Sequence, residues 1–307
     1  MMYNAEQKQR FISTIDPKQF PKNYWETLFE KYAPIEEEKK KDLYNFTKTE
    51  IFEAHKYQNY RSYETLMVIH INLKNYVFWA TRNGLVDDGL NHFDDFSQEE
   101  VFSCVNQLQL KSSIVTRDEV VNGVRALDNP RDAYIITCLF EGIRGSRMQD
   151  IFKLNIDDFD PYNHTVKLPN GLIRPASDEL IHWAVLADTH YIYTYADGRE
   201  AELYGTTVFK TLRNTPESQD PATLQHTVYR TIQKCFNIMG FGGKVSINSL
   251  YISGVIDRVN QIATENNVTA SDVMYTEKLF KELQKTHQVS ADTKKRFLMK
   301  YSEFLVK

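Results

Sequence analysis

The stretch from Tyr63 to Ala80 constrains the fold more than any other part of the chain. Tyr63, Leu66, Met67, Leu73, Val77 and Ala80 recur at helical spacing, Phe78 and Trp79 widen the apolar side, and Asn83-Gly84 ends the run. A pattern of that period does not sit in a strand. A helix this long with an apolar side needs partners to cover it. The neighbouring sequence supplies them as further helices. Ser97 with Glu100, and Thr116 with Glu119, have the spacing of capping boxes. Pro130 opens an apolar helix over residues 131–140, and Ser177 caps another that runs to about Leu186. Residues 36–57 begin EEEKKKD, and the i, i+4 pairs Glu36–Lys40 and Glu37–Lys41 predict one helix with a solvated charged face. Further helices are expected at 146–154, 205–213, 222–238, 246–264, 277–286 and 291–306. Only two segments read as β. HTVKLPNGLIRP (164–175) alternates around Pro169-Asn170-Gly171 as a small hairpin, and HYIYTY (190–195) reads as a strand. The expected class is mostly α with a small β-hairpin or sheet.

The chain has 307 residues, which predicts two domains. The texture changes in LQLKSSIV (108–115), so residues 1–110 are read as an N-terminal helical region and 111–307 as a second domain. Charge divides unevenly between them. Residues 1–110 carry 13 basic and 17 acidic side chains, residues 111–307 carry 24 of each, and the last thirty residues are net +5. A net charge of −4 and a pI near 6.1 argue against a protein that coats nucleic acid indiscriminately. They leave room for a local basic surface. Hydrophobic residues at 42% are enough for real cores, and 12 glycines and 9 prolines exclude a low-complexity chain. Cys104, Cys138 and Cys235 lie far apart with no CxxC, which fits a reducing cytoplasm and not a disulfide or zinc scaffold. The polar start MMYNAEQKQR and the short apolar runs predict neither a signal peptide nor a membrane span. No Gly-rich phosphate loop, HExxH or GxSxG is present, so no cofactor or metal is expected. His70 lies on the apolar side of its helix as a core histidine, and His226 and His287 have no evident partner in sequence.

Chemistry enters through several segments taken together. They are SYETLMVIHINLKNYVFWATRNGL (62–85), VTRDEVVNGVRALDNPRDAYIITCLFEGIRGSR (115–147), GSRMQDIFKLNIDDFD (145–160) and TLQHTVYRTIQKCFNIMGF (223–241). Their order and spacing resemble the tyrosine recombinase, or phage integrase, family over roughly residues 55–300. The resemblance implies a helical core-binding domain ahead of a mixed catalytic-like domain, the two closing on DNA as a clamp. The 145–160 segment is similar, position by position, to the family's G-x-R-x-x-E-L-x-x-L-x-W-x-D-I-D run. Arg147 takes the place of the first catalytic arginine, Asp150 that of the acidic residue, and Asp158 and Asp160 those of the terminal acids.

The rest of the family's catalytic set does not follow. Strand transfer needs a tyrosine nucleophile, two arginines on the phosphate oxygens, and a lysine and histidine for protons. The H-x-x-R box falls within VSINSLYISG (245–254), where Asn248 and Tyr251 stand instead. The third box matches only loosely at Lys285-Thr286-His287, and the nucleophile position some nine or ten residues on holds Arg296 and Phe297. Tyr301 shares a helical face with Phe297, Leu298, Phe304 and Leu305, as a core residue would. Losing one preorganised donor to the transition state costs on the order of 10²–10³ in rate, and losing three such groups leaves no strand transfer. The expectation is a catalytically degenerate member that resembles prophage repressors built on this fold. Such a protein binds double-stranded DNA sequence-specifically and holds lytic genes silent to maintain lysogeny, in the bacterial cytoplasm at the nucleoid. Expected DNA contacts are Arg147, Asn248, Tyr251, Arg258, Arg230, Arg174 and Lys167, with Lys74 and Arg61 on or near the long N-terminal helix. Tyr251 also has a simpler reading, as a filler for the missing arginine's space. Two other readings stay open. One is an active divergent recombinase using Tyr301 or Tyr251, with Arg174 or Arg258 as its second cation. The other is a module kept for protein contacts. The acidic residues 1–58 face away from DNA, serve a regulatory protein partner, or regulate opening of the clamp.

Overall fold

The computed structural model describes residues 2–16, 18, 20–21, 23–215 and 220–306. They divide into two compact units, Met1–Lys111 and Ser112–Lys307.

Unit 1 is helical. It contains α1 (Ala5–Ile12), α2 (Tyr24–Lys39), α3 (Lys48–Tyr57), α4 (Tyr63–Arg82) and α5 (Gln98–Ser103), and α6 (Gln107–Ser112) reaches the division. The α4 stripe does what its period requires. Leu66, Leu73, Tyr76, Val77 and Ala80 are buried, and Tyr76 packs on Phe11 at 5.1 Å and Phe29 at 4.8 Å between ring centres. Residues 36–57, expected as one helix, are two. Lys40 takes a left-handed conformation (φ 54°), a 3₁₀ turn spans Leu43–Asn45, and a Thr47/Glu50 capping box starts α3. The cause is a buried charge cluster. Lys8 Nζ donates to Glu36 at 2.7 Å and to Asp42 at 3.1 Å, and the Tyr76 hydroxyl donates to Asp42 at 3.0 Å. Glu36 therefore belongs to the interior and not to a solvated face. Burial pushes its carboxyl up to about 7, with Lys8 opposing. His70 is the satisfied core histidine expected. It donates from Nε2 to the Phe93 carbonyl at 3.1 Å. Its Nδ1 therefore accepts from His55 Nε2 at 3.0 Å, and His55 Nδ1 from the Tyr32 hydroxyl at 2.9 Å. That chain closes with both rings neutral, and burial pushes both imidazoles below their usual range.

Unit 2 is built on α8 (Pro130–Phe140), which follows α7 (Arg117–Val124). Residues 131–140 are all buried, because α8 is covered by other helices of the unit. α9 (Gln149–Lys153) leads into an antiparallel sheet in the order β1 (Phe159–Asp160), β2 (Thr165–Lys167), β3 (Ile173–Pro175). Its register pairs Val166 with Arg174 and Lys167 with Ile173, which is the expected hairpin. Next come α10 (Asp178–Thr189) and a two-stranded ribbon of β4 (Ile192–Thr194) and β5 (Glu200–Glu202). The chain ends in α11 (Pro221–Ile238), α12 (Ile247–Asn266), α13 (Ala270–Tyr275), α14 (Glu277–Thr286) and α15 (Lys294–Tyr301). α10, α11 and α12 pack against α8, and α13 and α14 pack against α12.

Three expectations in this unit need correction. Residues 205–213 are not helical. Tyr204 bridges Thr211, and Lys210 is drawn inward to donate to the Ala187 carbonyl at 3.0 Å while its own carbonyl accepts from Arg131 at 3.2 Å. Tertiary hydrogen bonds thus replace the helical ladder. The 146–154 helix is broken by left-handed Arg147 (φ 51°, ψ 33°) and Met148 (φ 63°, ψ 19°), so that α9 begins only at Gln149. Residues 291–306 hold α15 flanked by 3₁₀ turns, Ala291–Thr293 and Ser302–Phe304. No helix among the described residues is long and apolar enough to cross a membrane.

Candidate nucleic-acid interface

The motif residues of unit 2 gather where α8 ends. Beyond Phe140 the chain turns through residues 141–148, and Gly145 (φ 63°) lies directly over Asp150. A Cβ at Gly145 would meet the Asp150 carboxylate at 2.6 Å, so the close approach and the left-handed backbone both call for glycine. Arg147, in the first-arginine position, is exposed on this turn in a left-handed conformation that costs a non-glycine residue about 1 kcal/mol. Among the described residues no hydrogen bond or ion pair occupies its guanidinium, which leaves the side chain free to meet an anion.

Beneath the turn lies Arg174, and here the expectation of a DNA contact is corrected. The residue is 2% exposed, because β3 points it inward. Its Nη1 donates to the Gly142 carbonyl at 3.0 Å and the Thr286 carbonyl at 2.8 Å, and its Nε is buried without a partner. Arg174 ties the turn to the end of α14. It also adds a buried positive charge, since burial depresses a guanidinium's pKa without discharging it. Burial likewise raises Asp150, with Arg174 opposing.

α12 enters against α8 at Gly254, where a Cβ would stand 1.7 Å from the Phe140 carbonyl oxygen. That oxygen accepts from His287 Nε2 at 3.1 Å, and burial pushes the imidazole down to about 4. His287 is therefore neutral, with its donor committed to a backbone carbonyl. Tyr251 packs its ring 5.5 Å from His287, centre to centre. It is 5% exposed, its hydroxyl is buried without a well-formed hydrogen bond, and burial raises its pKa. A hydroxyl so placed does not reach DNA, so the space-filling reading of Tyr251 replaces the contact reading. The physical reason is that α12 packs against α8, α13 and α14.

Residues 2–82 match the family model described as "MrpR, N-terminal core-binding domain", and residues 114–301 match "MrpR, C-terminal catalytic domain". The chain belongs to the MrpR family. The MrpR order, core-binding domain then catalytic domain, is the layout that the recombinase motifs implied. A solved structure titled "Crystal structure of XerA recombinase" is 12% identical, with a TM-score of 0.38 over 95% of this chain and 92% of that one. Comparison with the curated proteins gave no match.

The other sequence candidates of this MrpR-family chain fall into two groups. Asn248 is exposed in the first turn of α12, Arg230 is exposed on α11, and Lys167 is exposed at the end of β2. These three remain open to a ligand. Arg258 does not. It is half-buried and donates to Glu282 at 2.9 Å and Gln261 at 3.2 Å, so its charge is already engaged. It borders a cavity of about 360 Å³ that Arg117, Glu141, His164, Ser177 and His287 also line. Arg117 there is paired with Glu141 at 3.1 Å and Asp257 at 2.8 Å. In unit 1, Arg61 is exposed just ahead of α4, and Lys74 is paired with Asp94. Tyr301 is buried in α15 with its ring 5.1 Å from Phe297, and His226 is exposed on α11. The motifs passed over Arg144, whose guanidinium lies 4.2 Å from the centre of the Tyr251 ring. Its only signal in sequence was a cation set between Gly142 and Gly145.

Proposed function

We propose that this protein is a sequence-specific double-stranded DNA-binding repressor that keeps phage lytic genes silent and does not break or join strands. It acts in the bacterial cytoplasm, on the nucleoid. The observation that carries this reading is position 251. A recombinase needs an arginine there to hold charge as it builds on the phosphate. A buried tyrosine ring offers none. Two further features support it. The imidazole of His287 is neutral and bound to a backbone carbonyl, which suits it poorly for proton transfer. The Tyr301 ring is packed in the core. DNA binding needs less than catalysis does. Exposed Arg147, Lys167, Arg230 and Asn248 of unit 2 and Arg61 of unit 1 can position phosphates without any chemistry. The acidic balance of residues 1–110 supports a role for that region toward a regulatory protein.

The test is DNA-affinity selection with the full chain on fragmented phage and host DNA, alongside incubation with a nicked duplex that traps covalent intermediates. Sharp peaks upstream of phage genes, with no adduct, are expected. A covalent adduct, or one paired site at an attachment locus, makes the protein a recombinase. No salt-sensitive enrichment at all removes DNA from the reading.

A further inference from the structure

We infer that Arg144, on the turn after α8, supplies the second guanidinium that this site offers to DNA phosphate. The inference rests on the DNA-binding reading above and adds a contact that the recombinase motifs do not mark. Position 251 on α12 holds an aromatic ring where the motif has its second arginine. The charge missing from that position in sequence is present above it in space, because the Arg144 guanidinium stands 4.2 Å from the centre of the Tyr251 ring.

The surroundings separate Arg144 from four other arginines of unit 2. Arg117 is neutralised by Glu141 and Asp257, Arg258 by Glu282, and Arg131 by Asp132. Arg174 is buried against two backbone carbonyls. Among the described residues, no carboxylate pairs with Arg144 or with Arg147. The two are three residues apart on one turn, with the left-handed Gly145 between them. That turn is held at its base by Arg174 and closed by the Asp150 amide, which donates to the Arg144 carbonyl at 3.2 Å. Two unpaired cations on a braced segment, over a third that is buried, make a site of net positive charge, since the Asp150 carboxylate under Gly145 is a single charge against three guanidinium groups.

The ring at 251 suits this arrangement. A guanidinium over an aromatic face keeps its edge N–H groups free, so the ring positions the cation without neutralising it. An arginine at 251 would repel Arg144. An acid there would pair with it and discharge the site.

The test is fluorescence anisotropy of the full chain with a labelled mixed-sequence DNA duplex, over about 50–200 mM salt. Arg144→Gln is expected to weaken binding roughly tenfold and to lower the slope of log Kd against log salt by about 0.9, one phosphate contact. Arg144→Lys keeps the slope, since the charge remains. Tyr251→Phe keeps both affinity and slope, since the ring remains. Tyr251→Leu weakens binding, and Arg144→Gln then adds less than it does alone. Affinity and slope both unchanged in Arg144→Gln overturn the inference and leave the DNA-binding reading standing. No salt-sensitive binding by the unsubstituted protein overturns that reading itself. Amide exchange of α8 and α12 in each variant confirms that the unit is folded.

Discussion

Replacing Gly254 with alanine sets helix propensity against packing. Propensity alone says that the change stabilises α12 by about 1 kcal/mol. The structure says the opposite. A Cβ at residue 254 would lie 1.7 Å from the Phe140 carbonyl oxygen, 2.7 Å from its carbon and 3.0 Å from His287 Nε2. The first two are backbone atoms of a buried helix, so α8 and α12 must separate by about 1.7 Å to restore ordinary contact. Overpacking of this kind costs about 1–3 kcal/mol. The His287 bond to the same carbonyl, 3.1 Å long, is disturbed as well, for roughly 1 kcal/mol more. Set against the propensity gain, the net loss is about 2 kcal/mol. Urea unfolding of the full chain measures it, and amide exchange should place the loosening in α8 and α12 and not in unit 1. Gly123→Ala in α7 is the control. Its Cβ would come within 2.7 Å of the Met239 methyl, the far end of a flexible side chain, so little change is expected there. If Gly254→Ala is as stable as the unsubstituted protein, or loses no more than Gly123→Ala, the close approach of α12 to α8 is refuted.

Further outcomes follow from buried charge and from capping. Burial pushes the His287 imidazole from 6.5 down to about 4. Folding therefore favours the neutral ring. Unit 2 has this stability in full above the unfolded-state pKa and loses it, on the order of 3 kcal/mol in total, as pH falls toward the folded-state pKa. His287→Asn should flatten the urea midpoint across that window, and an undiminished acid slope counts against a neutral buried ring. Lys8→Met leaves Glu36 and Asp42 buried without their countercharge and should destabilise unit 1 by about 3–5 kcal/mol at pH 8. The loss should be smaller at pH 5, where Glu36, already raised to about 7 by burial, takes up a proton. A pH-independent loss contradicts this. Thr116→Ala removes half of a formed capping box and should cost about 1 kcal/mol, read as faster amide exchange in α7. Exchange unchanged in α7 would show that the cap contributes nothing there.

Where local chemistry decides, the sequence was legible. The boxes at Ser97/Glu100 and Thr116/Glu119 form with both of their hydrogen bonds. The α4 stripe is buried as its period demands, and Pro169-Asn170-Gly171 joins two paired strands. These depend on residues a few positions apart. The failures depend on distant ones. EEEKKKD looked like a solvated face because nothing local shows that Lys8 will draw Glu36 and Asp42 inside. Residues 205–213 looked helical because the pull on Lys210 comes from Arg131 and Ala187. In the candidate site, Arg147 could be named from its motif and is exposed. Arg174 and Arg258, named from their charge, are each occupied by groups far along the chain, Thr286 and Glu282 among them.

The sequence by itself determined the helical class, the order of the recombinase-like segments and the presence of a tyrosine at position 251, because these are properties of residue type and spacing. Only the tertiary structure decided which cations are free. That depends on which carboxylate or carbonyl each one meets, and those partners come from elements brought together by packing. Charge is a property of the residue, but its availability belongs to the fold. For this reason Arg144, which no motif marks, stands unpaired over the Tyr251 ring, while arginines that looked more suitable are already bound.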